Sequence, residues 1–369
     1  MTTATASATA IDQVDVAAYT IPTDEPESDG TLEWDSTTIV VVEVAAGGER
    51  GLGYTYCDVA AAKLVESKLV DVAKGQDALA VREAWTAMSR ALRNVGRPGL
   101  GFMALSAVDT ALWDLKARLL GQPLVALLDA AHESVPVYGS GGFTSYSNDR
   151  LAEQLGGWVR RGIPRVKMKV GREPERDRER VRAARTAIGD ETELFVDANG
   201  AFDRQEALWW AGVYDYEFGV RWFEEPVSSD DLEGLRLLRD RASNRLEIAA
   251  GEYGDVLPYF RRMLEAGAVH CLQADVTRCG GFTGLLAVAA LCEAFGLDLS
   301  GHCAPQLSAH GLAAVRRLRH LEYFHDHVRI ESLLFDGVLE PEQGALRPDR
   351  SRAGNGLELK RAEARRWAA

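Results

Sequence analysis

From residue 135 onward, short apolar runs alternate with stretches of helical spacing. The runs are VPVYG (135–139), RVKMKV (165–170), ELFVDAN (193–199), VRWFEEP (220–226), EIAAGE (247–252), VHCLQAD (269–275), LDLSGH (297–302) and LEYF (321–324). Between them, segments such as RERVRAARTAI and LLAVAALCEAF carry apolar residues three and four apart, which predicts helices. Repeated strand–helix alternation predicts a parallel sheet, and eight units is the number that closes a (β/α)₈ barrel. An open doubly wound sheet is the alternative. It calls for a glycine fingerprint after its first strand, which VYGSGGF matches poorly.

The pattern before residue 135 is different. VDVAAY and TTIVVVEV are β-branched runs on either side of a Pro/Asp/Glu/Gly-rich loop, IPTDEPESDGTLEWD, and the turn AAGGERG leads into GLGYTY. Helices are predicted over roughly 59–71, 76–93 and 103–120. In the last, Ala104, Ala107, Val108, Ala111, Leu112 and Leu115 share one face, and Gly121 with Pro123 ends it. The expected organisation is a disordered Thr/Ala-rich tail (1–10), an α+β cap (11–130) and a barrel (131–330). A C-terminal segment (331–369), with a strand near 356–360, returns to the cap.

Composition narrows the function classes. Lys+Arg total 42 against 55 Asp+Glu, a net charge of −13, which argues against a nucleic-acid partner. The densest charged stretch, GREPERDRER (171–180), mixes signs and suits the solvated face of a helix. Five cysteines without a C-x-x-C pair suit reduced thiols in a cytoplasm. MTTATASATA has neither the basic nor the apolar part of a secretion signal, and no apolar run approaches the roughly 20 residues of a membrane helix. A small-molecule partner is the expectation.

Chemistry in such a barrel sits at the C-terminal ends of the strands. Lys169, Asp197, Glu224, Glu252, Asp275, His302 and Glu322 fall at or near successive ends, at intervals of 28, 27, 28, 23, 27 and 20 residues. Asp197, Glu224 and Glu252 lie on consecutive strands. Three adjacent carboxylates repel unless a hard cation joins them, and Mg²⁺ fits a few carboxylates best. Glu225 is expected to face away from this set. Asp275 can hold one nitrogen of His302 and leave the other as an acid or base. Tyr138, Ser140 and Ser145 in VYGSGGFTSY are candidates for binding substrate hydroxyls. Asn199 is a candidate for touching substrate or holding the metal shell. RCGGFTG (278–284) reads as a tight turn into a helix rather than a phosphate site, and HDH (325–327) as a loop rather than a metal pair. Cys303 and His302, as neighbours at a strand end, are expected to point apart.

VKMKVG, VDANG, WFEEP, AGE, ADVTRCGG, SGH and HLEYF, in this order, resemble the enolase superfamily, and most closely its mandelate racemase subgroup. ALWDLKARLLGQPL (111–124) is similar to that subgroup's capping-domain helix. The resemblance implies a (β/α)₇β barrel with a cap built from both chain ends. It implies Mg²⁺ at Asp197, Glu224 and Glu252, and Lys169 as one base helped by Lys167, whose charge favours a neutral amine. It implies His302–Asp275 as a second acid/base and Glu322 as a protonated donor to a substrate carboxylate. The muconate-cycloisomerase branch carries a lysine on the sixth strand, where this chain has Asp275. The implied chemistry is removal of a proton α to a carboxylate through an enediolate. The preferred outcome is dehydration of a sugar acid to a 2-keto-3-deoxy acid. A racemase, epimerase or cycloisomerase of a hydroxy acid is the alternative, and a non-catalytic sugar-acid binder a third. The acidic stretch 20–35 with Trp34 lies where the family's cap closes, suited to a polyol, and such caps suggest a homo-oligomer.

Overall fold

The computed structural model describes residues 9–369. The cap sheet is an antiparallel meander of β1 (Gln13–Ser28), β2 (Glu33–Ala46) and β3 (Glu49–Tyr56). Its β-branched centre is buried on both faces: Ile39, Val40, Val42 and Val44 are fully enclosed. One face packs on the helix Leu100–Leu119. That approach depends on the GLG of β3, since a Cβ on Gly53 would lie 2.4 Å from the Ala107 carbonyl oxygen. The other predicted helices form as Ala60–Ala73, interrupted by one wider turn over Val65–Leu69, and as Val81–Ala91.

Two expectations for this region are corrected. The stretch 20–35 is not a loop: β1 and β2 continue through it as a long hairpin, with a register slip between Pro22 and Glu27 and a turn only at 29–32. Proline lacks the N–H that an unbroken ladder needs there. Ala10, assigned to the tail, bridges to Asp77, and Ile11 donates to the Gln76 carbonyl. The rest of the tail, 1–8, lies outside the described residues.

The barrel strands are β4 (Val135–Gly141), β5 (Arg165–Lys169), β6 (Glu193–Asp197), β7 (Trp222–Glu224), β8 (Glu247–Ala250), β9 (Cys271–Ala274), β10 (Asp298–Gly301) and β11 (Leu318–Phe324). All eight are parallel, and β11 pairs back to β4 at Leu321↔Val137 and Tyr323↔Gly139, closing the cylinder. Each of the first seven is followed by a helix on the outer wall. A helix also follows β11 (His325–Leu334), so HDH is its first turn and not a loop. It turns toward the cap, where Tyr56 stacks on His327 and the Tyr54 hydroxyl donates to Glu331 at 2.5 Å.

The C-terminal segment ends on the cap. Leu359 pairs with Phe335, Asn355 donates to the Leu52 carbonyl, and the Ala369 N–H donates to Ala18. The hairpin tip is tied to the barrel from above: the Thr144 N–H donates to the Ser28 carbonyl, and the Ser145 hydroxyl to that of Pro26. GREPERDRER does lie on a helix, Pro174–Ile188, but two of its charges face inward: Asp177 and Arg180 are buried.

Candidate active site

The floor of the barrel mouth is aromatic. Tyr138, Phe195, Trp222 and His320 pack edge and face against one another, all fully or almost fully buried. Lys167 rests on this floor, its Nζ 5.3 Å from the Tyr138 ring centre. The period of two in RVKMK aims both lysines inward, where they meet carboxylates from neighbouring strands. Lys167 Nζ lies 2.5 Å from Glu224, 2.8 Å from Glu322 and 3.3 Å from Asp197. Lys169 Nζ lies 2.5 Å from Asp197 Oδ2.

These contacts pull against two expected charge states. Burial and the Lys167 charge both favour a neutral Lys169, but Asp197, Glu252 and Glu322 outweigh them and hold its proton on. The neighbours of Glu322 favour its ionised form. Burial works to raise its carboxyl, yet Lys167, His302 and Lys169 hold it well below the usual range. It accepts from Lys167 and from the Ser140 hydroxyl at 2.6 Å.

Just past several strand ends the backbone turns left-handed at residues with side chains. Asn199, Glu225, Cys303 and Ala304 are four of the six non-glycine residues with positive φ among those described. The turns re-aim side chains that strand alternation would send outward. Glu225, expected to face away, is buried among Glu252, Asp197 and Glu224, and burial with their charges raises its carboxyl well above the usual range. Sequence reasoning missed it as a site residue; the signal was the EEP step, where proline follows the strand end at once. Asn199 donates from Nδ2 to Glu252 at 3.3 Å, and its own N–H donates to Asp197 at 2.9 Å.

On the other side, His302 Nδ1 lies 2.8 Å from Asp275 Oδ2. The other Asp275 oxygen accepts from the Thr277 N–H and hydroxyl, both at 2.7 Å. Burial would raise the Asp275 carboxyl, but His302, Arg278 and Thr277 together lower it, so it stays ionised and orients the imidazole. His302 Nε2 then faces Glu252 and Glu322, at 3.3 and 3.4 Å. Cys303 does not point away, because its left-handed backbone swings Sγ to 3.3 Å from His302 Nε2. Burial, then the charges of Glu322, Asp275 and Glu252, push the thiol up and disfavour the thiolate a nucleophile needs.

The substrate-contact candidates divide. Tyr138 is sealed in the floor beneath Lys167, a correction to its assignment as a hydroxyl binder, because it sits one pleat below the strand end. Ser140 is also fully buried and spends its hydroxyl on Glu322. Ser145 is exposed and bonded to the cap hairpin. Trp34 reaches the rim: partly exposed, it donates to Glu27 and packs edge-on against Phe143. RCGGFTG is the expected turn into a helix (Gly281–Phe295); the Gly280 and Gly281 amides donate to Ser106, and Asp109 takes the Thr283 N–H.

Asp197, Glu224 and Glu252 each offer an oxygen within 4.8 Å of the other two, all buried. Around them Glu225 Oε1 and Asn199 Oδ1 are buried with no hydrogen-bond donor, and Glu252 Oε2 faces the His302 imidazole. An all-oxygen donor set with two orphaned acceptors suits a hard divalent cation and no softer ligand chemistry.

Two family models match the chain: "Enolase C-terminal domain-like" over residues 150–364, and "Mandelate racemase / muconate lactonizing enzyme, N-terminal domain" over 26–129. A mandelate racemase/muconate lactonizing enzyme-like protein from Rubrobacter xylanophilus is 62% identical, with a TM-score of 0.96 over 98% of this chain and 100% of its own. A 3,6-anhydro-α-L-galactonate cycloisomerase of Streptomyces coelicolor is 32% identical over 95% of this chain and 98% of its own. The L-talarate/galactarate dehydratase of Salmonella typhimurium, solved with Mg and L-lyxarohydroxamate, is 30% identical over 98% of this chain and 93% of its own, at a TM-score of 0.89. With both family models covering most of its length and the barrel and cap they describe present, this chain belongs to the enolase superfamily, in its mandelate racemase subgroup.

Proposed function

We propose that the protein removes the proton α to a carboxylate with Mg²⁺ held by Asp197, Glu224 and Glu252, and dehydrates a sugar acid to a 2-keto-3-deoxy acid. The observation that carries the reading is the pairing of two acid/base groups, Lys169 and His302–Asp275, around one all-oxygen cluster. Relatives named as a sugar-acid dehydratase and a sugar-acid cycloisomerase support the same chemistry.

Asp197, Glu224 and Glu252 would hold Mg²⁺, which would supply positive charge for the developing enediolate. The chain's own residues do the rest. Lys169, once neutral, takes the α-proton, and Lys167 keeps an ammonium beside it. His302, held at Nδ1 by Asp275, delivers a proton from Nε2 to the leaving β-hydroxyl. Trp34 stands at the rim of the mouth, and the hairpin behind it carries the acidic residues. Isomerisation is the second reading. In it His302 returns its proton to C2 or to a ring oxygen rather than to a leaving hydroxyl; the 32% identical cycloisomerase favours keeping it in view.

The test is a panel of mono- and diacid sugars with Mg²⁺ in D₂O. A semicarbazide-reactive keto acid is the expected product, while deuterium at C2 of a recovered or inverted acid with no keto acid selects isomerisation. Lys169→Ala and His302→Asn are each expected to lower turnover by at least roughly 10³-fold. Normal turnover in both overturns the assignment.

A further inference from the structure

A second cluster lies above the mouth, where the cap hairpin meets the end of β11. Asp24, Glu27 and His325 each place one ligand atom within 4.8 Å of the other two. Glu27 is fully buried; its Oε2 accepts from Trp34, and its Oε1 has no hydrogen-bond partner. Asp326, also fully buried, has an unpartnered Oδ2. The cluster is separate from the catalytic carboxylates: Phe143, Tyr146, Cys303 and Phe324 pack as one apolar group under Trp34, between the hairpin and His302.

We propose that Asp24, Glu27 and His325 form a divalent transition-metal site that pins the cap hairpin to the barrel. His325 Nε2 and Asp24 Oδ2 are 3.0 Å apart, sharing a proton that a metal would displace. Ligands at ~2.0–2.2 Å in a tetrahedral shell stand roughly 3.3 Å from one another, so this pair is already close to spacing. One imidazole with carboxylates selects Zn²⁺ or a similar ion over Mg²⁺. Four carboxylates gather here, Asp24, Glu25, Glu27 and Asp326, against two guanidinium groups. Arg150 pairs with Glu25 at 2.9 Å and reaches Asp24 at 3.5 Å; Arg329 binds Asp326 and the Pro22 carbonyl. The local excess of two negative charges matches a divalent ion.

Full-length protein in excess Mg²⁺ is titrated with Zn²⁺, desalted, and its zinc counted by mass spectrometry. Wild type is expected to retain one zinc per chain more than His325→Ala or Asp24→Asn. Glu27→Gln, which keeps the bond to Trp34, is expected to lose it as well. Zinc is also expected to slow hydrogen exchange across residues 20–36 in wild type and not in His325→Ala. Equal zinc counts in all four proteins, or exchange that zinc leaves unchanged, overturn the proposal.

Discussion

Cys303 Sγ stands 3.3 Å from His302 Nε2, the imidazole nitrogen that Asp275 leaves free, and equally near a Glu322 oxygen. Adjacent residues on a strand would diverge. Here both 303 and 304 adopt positive φ, so the thiol joins the site. Proximity does not make it a nucleophile, since its surroundings raise it well above an ordinary thiol. Cys303→Ala is therefore expected to retain turnover within roughly tenfold, and iodoacetamide at pH 8 to inactivate only slowly. Loss of turnover comparable to His302→Asn would restore a thiol mechanism.

Arg180 positions Lys169 without touching the reacting groups. Its guanidinium donates to the carbonyls of Lys169 at 2.9 Å, Phe143 at 2.9 Å and Gly142 at 3.1 Å, and pairs with Asp177. Removing one partner of a buried pair costs about 3–5 kcal/mol. Arg180→Ala is expected to lower Tm by several degrees. Arg180→Lys is expected to fold better yet still lower kcat with little change in KM, because one ammonium cannot span three carbonyls. An unchanged kcat in Arg180→Lys would reduce the residue to a structural role.

Glu331 makes a clean pH prediction away from the site. It is fully buried, and burial raises its carboxyl from 4.5 to about 8 despite the Tyr54 hydrogen bond. Below about pH 4.5 folded and unfolded chains both hold the proton, and the group's contribution is fully present. As pH rises toward 8 only the folded chain keeps it, so stability falls. Glu331→Gln retains the acceptor for Tyr54 and cannot ionise. Its Tm is expected to exceed wild type at pH 8.5 by more than at pH 5, with a free-energy gap on the order of a few kcal/mol. Parallel Tm–pH curves would show that Glu331 does not titrate in this range.

The carboxylate cluster predicts its own response to cations. Binding to the folded state alone raises stability by mass action. Adding Mg²⁺ after chelation is expected to raise Tm and restore turnover in wild type. In Glu252→Gln, turnover stays lost and the Tm shift shrinks severalfold. An equal shift in the variant would place the ion elsewhere.

The barrel was legible because its signals are local and periodic. Each apolar run from 135 to 324 matches a strand, and the polar residues at their ends meet at one mouth. The same alternation placed Lys167 and Lys169 on the inner face. Misplaced residues sit where alternation stops. Glu225 and Cys303 were sent outward by carrying strand alternation past the strand's last residue, and Tyr138 was raised by one pleat from the floor to the rim.

The order of strands, the residues at their ends and the carboxylate trio follow from hydrophobic period and spacing, which are properties of the chain alone. The charge states of Lys169 and Glu322, and the entry of Glu225 and Cys303 into the site, were decided only on folding. A proton's position depends on the sum of charges around it, and Lys169 meets Asp197, Glu252 and Glu322 only when distant strands close the barrel. Left-handed turns at 199, 225, 303 and 304 likewise persist because surrounding packing holds a backbone shape that local preference disfavours.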